Sequence, residues 1–197
     1  MEALQPSFLG AITEVCIVTA DHKKTMDGLL RLGIGPFQVF DFTPSTLPER
    51  YFRGKTGSFE LKVCFAKHAN LTFEIMQPTG GESLMAEYLD QVRTPTVGAW
   101  PLRRELTGVK RRGQEGIQHI AFDCKNIPMS ERKRQMRERG FEPAMEGVWK
   151  GRKGTCHFCF FDTEAGTGTV FESIDFSDDW EDPDFEWYPH APAGGVA

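Results

Sequence analysis

The strongest constraint on this chain is a pattern that runs once and then starts again near residue 116. GAITEVCIV (10–18) lines up with EGIQHIAFD (115–123), RLGIGPF (31–37) with ERGFEPA (138–144), and LTFEIM (71–76) with TVFESI (169–174). The matches fall in the same order, and their spacing drifts as loop insertions and deletions would make it drift. Each is short. Together they indicate two copies of one supersecondary unit.

Each copy reads as strand, helix and three strands. Ile12 to Val18 is a short β-branched run bounded by polar residues, which predicts a strand. Asp21 is placed to cap a helix whose apolar face is Met26, Leu29, Leu30 and Leu32. Gly33 stands where a helix closes on a residue of positive φ. Strands are predicted at 37–42, 58–66 and 70–76, with the stretch TPSTLPER between the first two taken as loop. In the second copy a helix is predicted over 128–139 and a strand over 155–161. The chain therefore divides into an N-terminal arm (1–11), a first module (12–92), a basic insertion (93–114), a second module (115–176) and an acidic, aromatic tail (177–197). The first module ends on a predicted helix at 83–92 with Leu84, Tyr88 and Leu89 on one face. The tail is either disordered or laid over the body through Trp180, Phe185, Trp187 and Tyr188.

Composition narrows the function classes. A hydrophobic share of 40%, with 16 Phe, is ample for a packed interior. A net charge of −5 argues against nucleic-acid binding, which needs a basic footprint. MEALQPSFLG lacks the basic-then-apolar pattern of a signal peptide, and no apolar run approaches the roughly 18 residues of a membrane span. Five scattered cysteines fit a reducing compartment. The expectation is a cytoplasmic protein without membrane or nucleic-acid partners. Cys156 and Cys159 have CxxC spacing, but a second pair at zinc spacing is missing, and in an extended strand the two point to opposite faces. His22 and His68 fall in cap or loop contexts and read as surface histidines, His68 being better placed to reach a pocket rim.

The repeat also aligns polar residues. Glu14 matches His119 in the opening strands, and Glu74 matches Glu172 in the closing strands. Strand side chains alternate faces, so a polar residue flanked by apolar ones at i±2 points into what they bury. Glu14 lies between Ile12 and Cys16, His119 between Ile117 and Ala121, Glu172 between Val170 and Ile174, and Glu74 between Thr72 and Met76. Four inward polar groups are costly unless paired, protonated or bound to a cation.

The motifs GIQHIAF (116–122), LTFEIMQP (71–78) and DTEAGTGTVFESI (162–174) resemble those of glyoxalase and methylmalonyl-CoA epimerase relatives, the vicinal oxygen chelate superfamily. The resemblance spans residues 12–175, with the insertion unmatched. It implies an α+β fold in which two βαβββ modules form a half-open barrel around one pocket. It also implies a divalent metal held by the first and last strands of each module, here Glu14, Glu74, His119 and Glu172. Glu14 departs from the family, where that place is commonly His (or Gln). Three carboxylates and one imidazole suit Mg²⁺, Mn²⁺ or Fe²⁺ more than a softer ion such as Zn²⁺. Left without metal, the same groups form an acid/base site in which like charges raise a carboxyl pKa; the residues leave both open.

The activity implied is an isomerase, epimerase or lyase-type rearrangement by proton transfer next to a carbonyl, with Glu14 or Glu172 moving the proton and His119 in the site. The small-molecule substrate is bulky or aromatic if the many Phe and Trp line the pocket. A non-haem iron dioxygenase is the first alternative, although such sites usually want two His and one carboxylate. A non-catalytic, resistance-type binder is the second. The basic run from Arg93 to Arg112 is a solvated loop or a clamp for phosphate or carboxylate, with Trp100 and Pro101 as a lid. A homodimer is expected because such modules leave sheet edges to pair.

Overall fold

The computed structural model describes residues 7–90, 115–124 and 127–192, so the basic insertion and its expected lid lie outside the described residues. The first copy runs β1 (Ala11–Val18), α1 (His22–Leu30), β2 (Phe37–Phe42), β3 (Glu49–Phe52), β4 (Lys55–Thr56), β5 (Glu60–His68), β6 (Leu71–Gly80) and α2 (Leu84–Asp90). The second runs β7 (Gly116–Asp123), α3 (Met129–Glu138), β8 (Pro143–Lys150), β9 (Thr155–Phe161), α4 (Glu164–Thr167) and β10 (Val170–Phe176), with β11 (Glu186–Tyr188) in the tail.

One sheet holds all the strands of the described residues in the order β11-β2-β5-β6-β1-β7-β10-β9-β8-β3-β4. Each copy contributes the same four-strand unit. β1 lies parallel to β6 in one and β7 parallel to β10 in the other, and the copies join where β1 and β7 pair antiparallel. The sheet curls until its ends meet. Phe40 and Phe42 on β2 reach Trp149 on β8, with ring centroids 5.0 and 4.9 Å apart, although six strands separate β2 from β8 in the sheet.

Alternation along the strands separates two faces. The concave face buries Phe40, Phe42, Leu61, Val63, Trp149, Phe158 and Phe160 in one core. The convex face carries one helix per copy. Met26 of α1 packs on Phe37, Cys64 and Ile75, and Met129 and Met136 of α3 pack on Cys159 and Phe161. Asp21 does cap α1, accepting from the Lys24 amide at 3.0 Å, and Gly33 closes it at φ +80°. Leu32 was expected on the apolar face but is 75% exposed, because the helix has ended before it and the turn carries it outward.

Two segments outside the repeat finish the sheet. The stretch read as loop holds the β3–β4 hairpin, turned by Arg53 and Gly54, both at positive φ, the signature of a two-residue hairpin turn. The hairpin belongs to the first copy yet pairs with β8 of the second. The described part of the tail, 177–192, lies on the body. β11 pairs with β2, Trp180 packs on Trp149 at 4.9 Å, Phe185 packs on Phe40 at 5.2 Å, and the Tyr188 hydroxyl donates to Asp27 at 2.7 Å. The edges of β2 and β8, which would have been free to pair with a second copy, are thus occupied from within the chain. Among the described residues, no helix is long and apolar enough to cross a membrane.

Candidate functional site

The site is built by strand register. Glu74, Cys16, His119 and Val170 form one row across β6, β1, β7 and β10, and Thr72, Glu14, Ala121 and Glu172 form the next. Exchanging the copies swaps the rows, with Glu14 taking the place of His119 and Glu74 that of Glu172. Four residues far apart in sequence are thereby brought together. A ligand atom from each of Glu14, Glu74, His119 and Glu172 lies within 4.8 Å of the others, and all four side chains are buried.

Simple alternation does not account for their inward direction. Ile12 and Ile117, taken as inward neighbours, are 47% and 62% exposed. The β1–β7 ladder shifts register between Ile12 and Glu14 and again between Cys16 and Ile17, leaving Thr13 and Gln118 as extra residues. A bulge re-aims the side chains beside it. The two bulges sit at equivalent places in the two copies, and each turns an isoleucine outward while the polar residue beyond it turns in.

His119 is the hub. Its Nε2 lies 2.9 Å from Glu74 Oε2 and 3.4 Å from Glu172 Oε2, its Nδ1 lies 2.5 Å from Gln118 Oε1, and its ring packs edge-on against Phe160 at 4.8 Å. The contact to Glu172 is long, and Nε2 is already engaged with Glu74, so it is an electrostatic contact rather than a hydrogen bond. Gln118 escaped the reading of the sequence, since without the bulge it points away from its neighbour. A side-chain acceptor at Nδ1 holds the ring with Nε2 facing the carboxylates.

Burial pushes the Glu14 carboxyl well above the ordinary carboxylate range, and the charges of Glu74 and Glu172 push it further. Burial also raises Glu172, to about 7, although the close approach and charge of His119 oppose the rise. Burial alone would lower His119, but the two carboxylates outweigh it and raise it to about 9. Buried Oε1 of Glu14 and Oε2 of Glu172 have no hydrogen-bond partner. Among the described residues, no lysine or arginine ion-pairs with these carboxylates. Orphaned oxygens, clustered donors and surplus negative charge are what a bound cation would resolve, so the residues fit a divalent metal.

These shifts give stability a definite pH dependence in metal-free protein. Glu14, Glu172 and His119 all bind protons more tightly folded than unfolded, so their stabilisation is complete at low pH and is lost as pH rises through the folded values. Thermal unfolding of chelator-treated protein should show the melting temperature falling between about pH 5 and pH 9. Each retained proton contributes about 1.4 kcal/mol per pH unit, and a saturating divalent ion should flatten the slope because the ion replaces the protons.

The cluster opens on a cavity of about 730 Å³. Glu14, Glu74 and Glu172 line it together with Phe40, Phe65, Trp149 and Phe158, and the tail adds Asp178, Trp180 and Asp182 to the wall. The expected surface histidines stay outside this set. His22 binds Gln77 at the start of α1, and His68 lies near Phe73 at the end of β5. Cys156 and Cys159 point to opposite faces, Cys156 into the cavity and Cys159 under α3.

Two βαβββ modules joined through their first strands, with polar side chains on the first and last strands of each, define a class of curled-sheet proteins with one shared pocket. Residues 13–160 match the family model described as the Glyoxalase/Bleomycin resistance protein/Dioxygenase superfamily, and the chain belongs to that family. Among solved structures it is similar to a hypothetical protein, BH1468, from Bacillus halodurans C-125 (17% identity, TM-score 0.53, covering 87% of this chain and 98% of that one). It is also similar to methylmalonyl-CoA epimerase from Mycobacterium tuberculosis (16% identity, TM-score 0.53, 93% and 94%). A mutant 4-hydroxymandelate synthase from Streptomyces coelicolor matches over 91% of this chain and 41% of that one, at 14% identity and a TM-score of 0.52. These likenesses establish the fold. No curated protein shows a significant match.

Proposed function

We propose that the chain is an enzyme that moves a proton at a carbon next to a carbonyl, as an isomerase, epimerase or lyase, in the cavity between its modules. Glu14 carries the reading. It is a buried carboxyl with an unpartnered oxygen on the cavity wall, in surroundings that make it hold a proton at a pH where an exposed glutamate would not. A general acid/base needs that poise. In its ionised form, which a cation beside it would favour, Glu14 takes the proton from the substrate carbon and returns it, and Glu172, also raised and on the same wall, is the second group able to do so.

Glu74, His119 and Glu172, with Glu14 beside them, would hold a divalent ion, which when bound would supply charge stabilisation to an enolate oxygen. Gln118 keeps His119 oriented. The aromatic walls hold an apolar or aromatic substrate body and keep water from the reacting carbon. Free, buried cysteines support a reducing compartment, the cytoplasm. A pair of copies would have to meet on a surface other than the edges that the hairpin and tail occupy.

The donor set disfavours the dioxygenase alternative, because it offers one imidazole and three carboxylates where a facial triad uses two imidazoles and one carboxylate. The buried cluster is also a poor way to build a passive aromatic groove, since each polar group costs stability there. A panel of ketones and 1,3-dicarbonyl compounds in D₂O with Mn²⁺-loaded protein tests the reading. Catalysed deuterium entry at the carbon next to the carbonyl, seen by NMR, is expected. Oxygen uptake with Fe²⁺, or tight binding without any exchange across the panel, would replace it with the dioxygenase or the binder.

A further inference from the structure

Cys16 has no donor counterpart in the repeat, since the second copy has Ala121 at the equivalent place. It is fully buried on the concave face, with Glu74 as its register partner on one side and His119 on the other. Neighbours in register on the same face lie within side-chain contact. The Cys16 sulfur, a Glu74 oxygen and a His119 nitrogen all lie within 4.8 Å of one another. The same three do not form one group of that size with Glu14 or Glu172, so two donor sets share Glu74 and His119.

We propose that Cys16 is a metal ligand, and that Cys16, Glu74 and His119 form a second binding position for a borderline-soft dication such as Zn²⁺ or Co²⁺, alternative to the oxygen-rich one. The proposal deepens the metal-binding part of the function above and rests on it.

Three arguments support it. The first is charge. A Cys16 thiolate and a Glu74 carboxylate sum to −2, the charge that balances a dication. The second is donor type. Sulfur, imidazole nitrogen and a single carboxylate oxygen is a mixed set typical of zinc, while the carboxylate-rich set suits harder ions. The third is geometry. Donor atoms around a tetrahedral zinc lie about 3.5 Å apart, and the three here lie within 4.8 Å of one another. On binding, the thiol proton leaves to solvent and the sulfur takes its place on the ion. No oxidation is involved.

Cobalt is the probe. Chelator-treated protein titrated with Co²⁺ should show visible d–d bands and, with them, an intense near-ultraviolet sulfur-to-cobalt charge-transfer band. Cys16→Ser should keep the d–d bands and lose the charge-transfer band. Its Zn²⁺ affinity should fall by about 100-fold while its Mn²⁺ affinity changes little, since thiolate favours the softer ion. Cys156→Ser, which removes the thiol that lines the cavity, should retain the band. Cobalt d–d bands without charge transfer in the unmodified protein would overturn the role of Cys16 and leave the oxygen site standing, as would a band lost in Cys156→Ser. Failure to bind cobalt at all would overturn both.

Discussion

Replacing Glu14 by glutamine is expected to lower kcat by about 10²–10⁴-fold, the range for loss of a general acid/base, without unfolding the protein. The amide is nearly isosteric, it enters a place where Oε1 has no partner to lose, and it replaces a carboxyl that burial and its neighbours already push toward the neutral form. KM should change little if substrate is held chiefly by the aromatic walls. Steady-state kinetics on the substrate found by deuterium exchange, with circular dichroism to check the fold, measure both. An unchanged kcat would move the proton-carrying role to Glu172, the other raised carboxyl on the same wall.

His119→Ala is expected to act differently, on assembly of the site rather than on one step. The imidazole touches Glu74, Glu172, Gln118 and Phe160, and it is completely buried. Its loss leaves buried carboxylates without a counter-group, a change that costs about 3–5 kcal/mol in comparable buried pairs. Elemental analysis after desalting should show stoichiometric divalent metal in the native protein and none in the variant, and urea unfolding should show the loss of stability. A variant that keeps its metal would show that the carboxylates suffice to hold it.

Much of this arrangement was legible in the sequence because the repeat is written twice. The alignment of Glu14 with His119 and of Glu74 with Glu172 depended only on matching strands, and strand order then placed all four on one wall. What failed was whatever depended on departures from regular pairing. Ile12 and Ile117 seemed inward by simple alternation, but bulges at Thr13 and Gln118 break it, and period-two reasoning cannot see a residue inserted opposite nothing. The same bulge hid Gln118 beside His119. The β3–β4 hairpin was missed because Glu49, Arg50, Arg53 and Lys55 give it the polarity of a loop, as suits a strand near an edge. The Arg53–Gly54 turn between Phe52 and Lys55 was the available signal. Cys16 was counted as an apolar neighbour of Glu14 rather than as a donor in its own right.

The cross-pairing of distant segments bears on how the chain is made. β3 finds its partner in β8, β1 in β7, and β2 in β11, so early strands are completed by residues that emerge much later. Contacts of this separation carry a large loop-closure cost and slow folding. A nascent chain therefore leaves the ribosome with its early strands unsatisfied on one side, and the interval between translation and closure is when it most needs a chaperone.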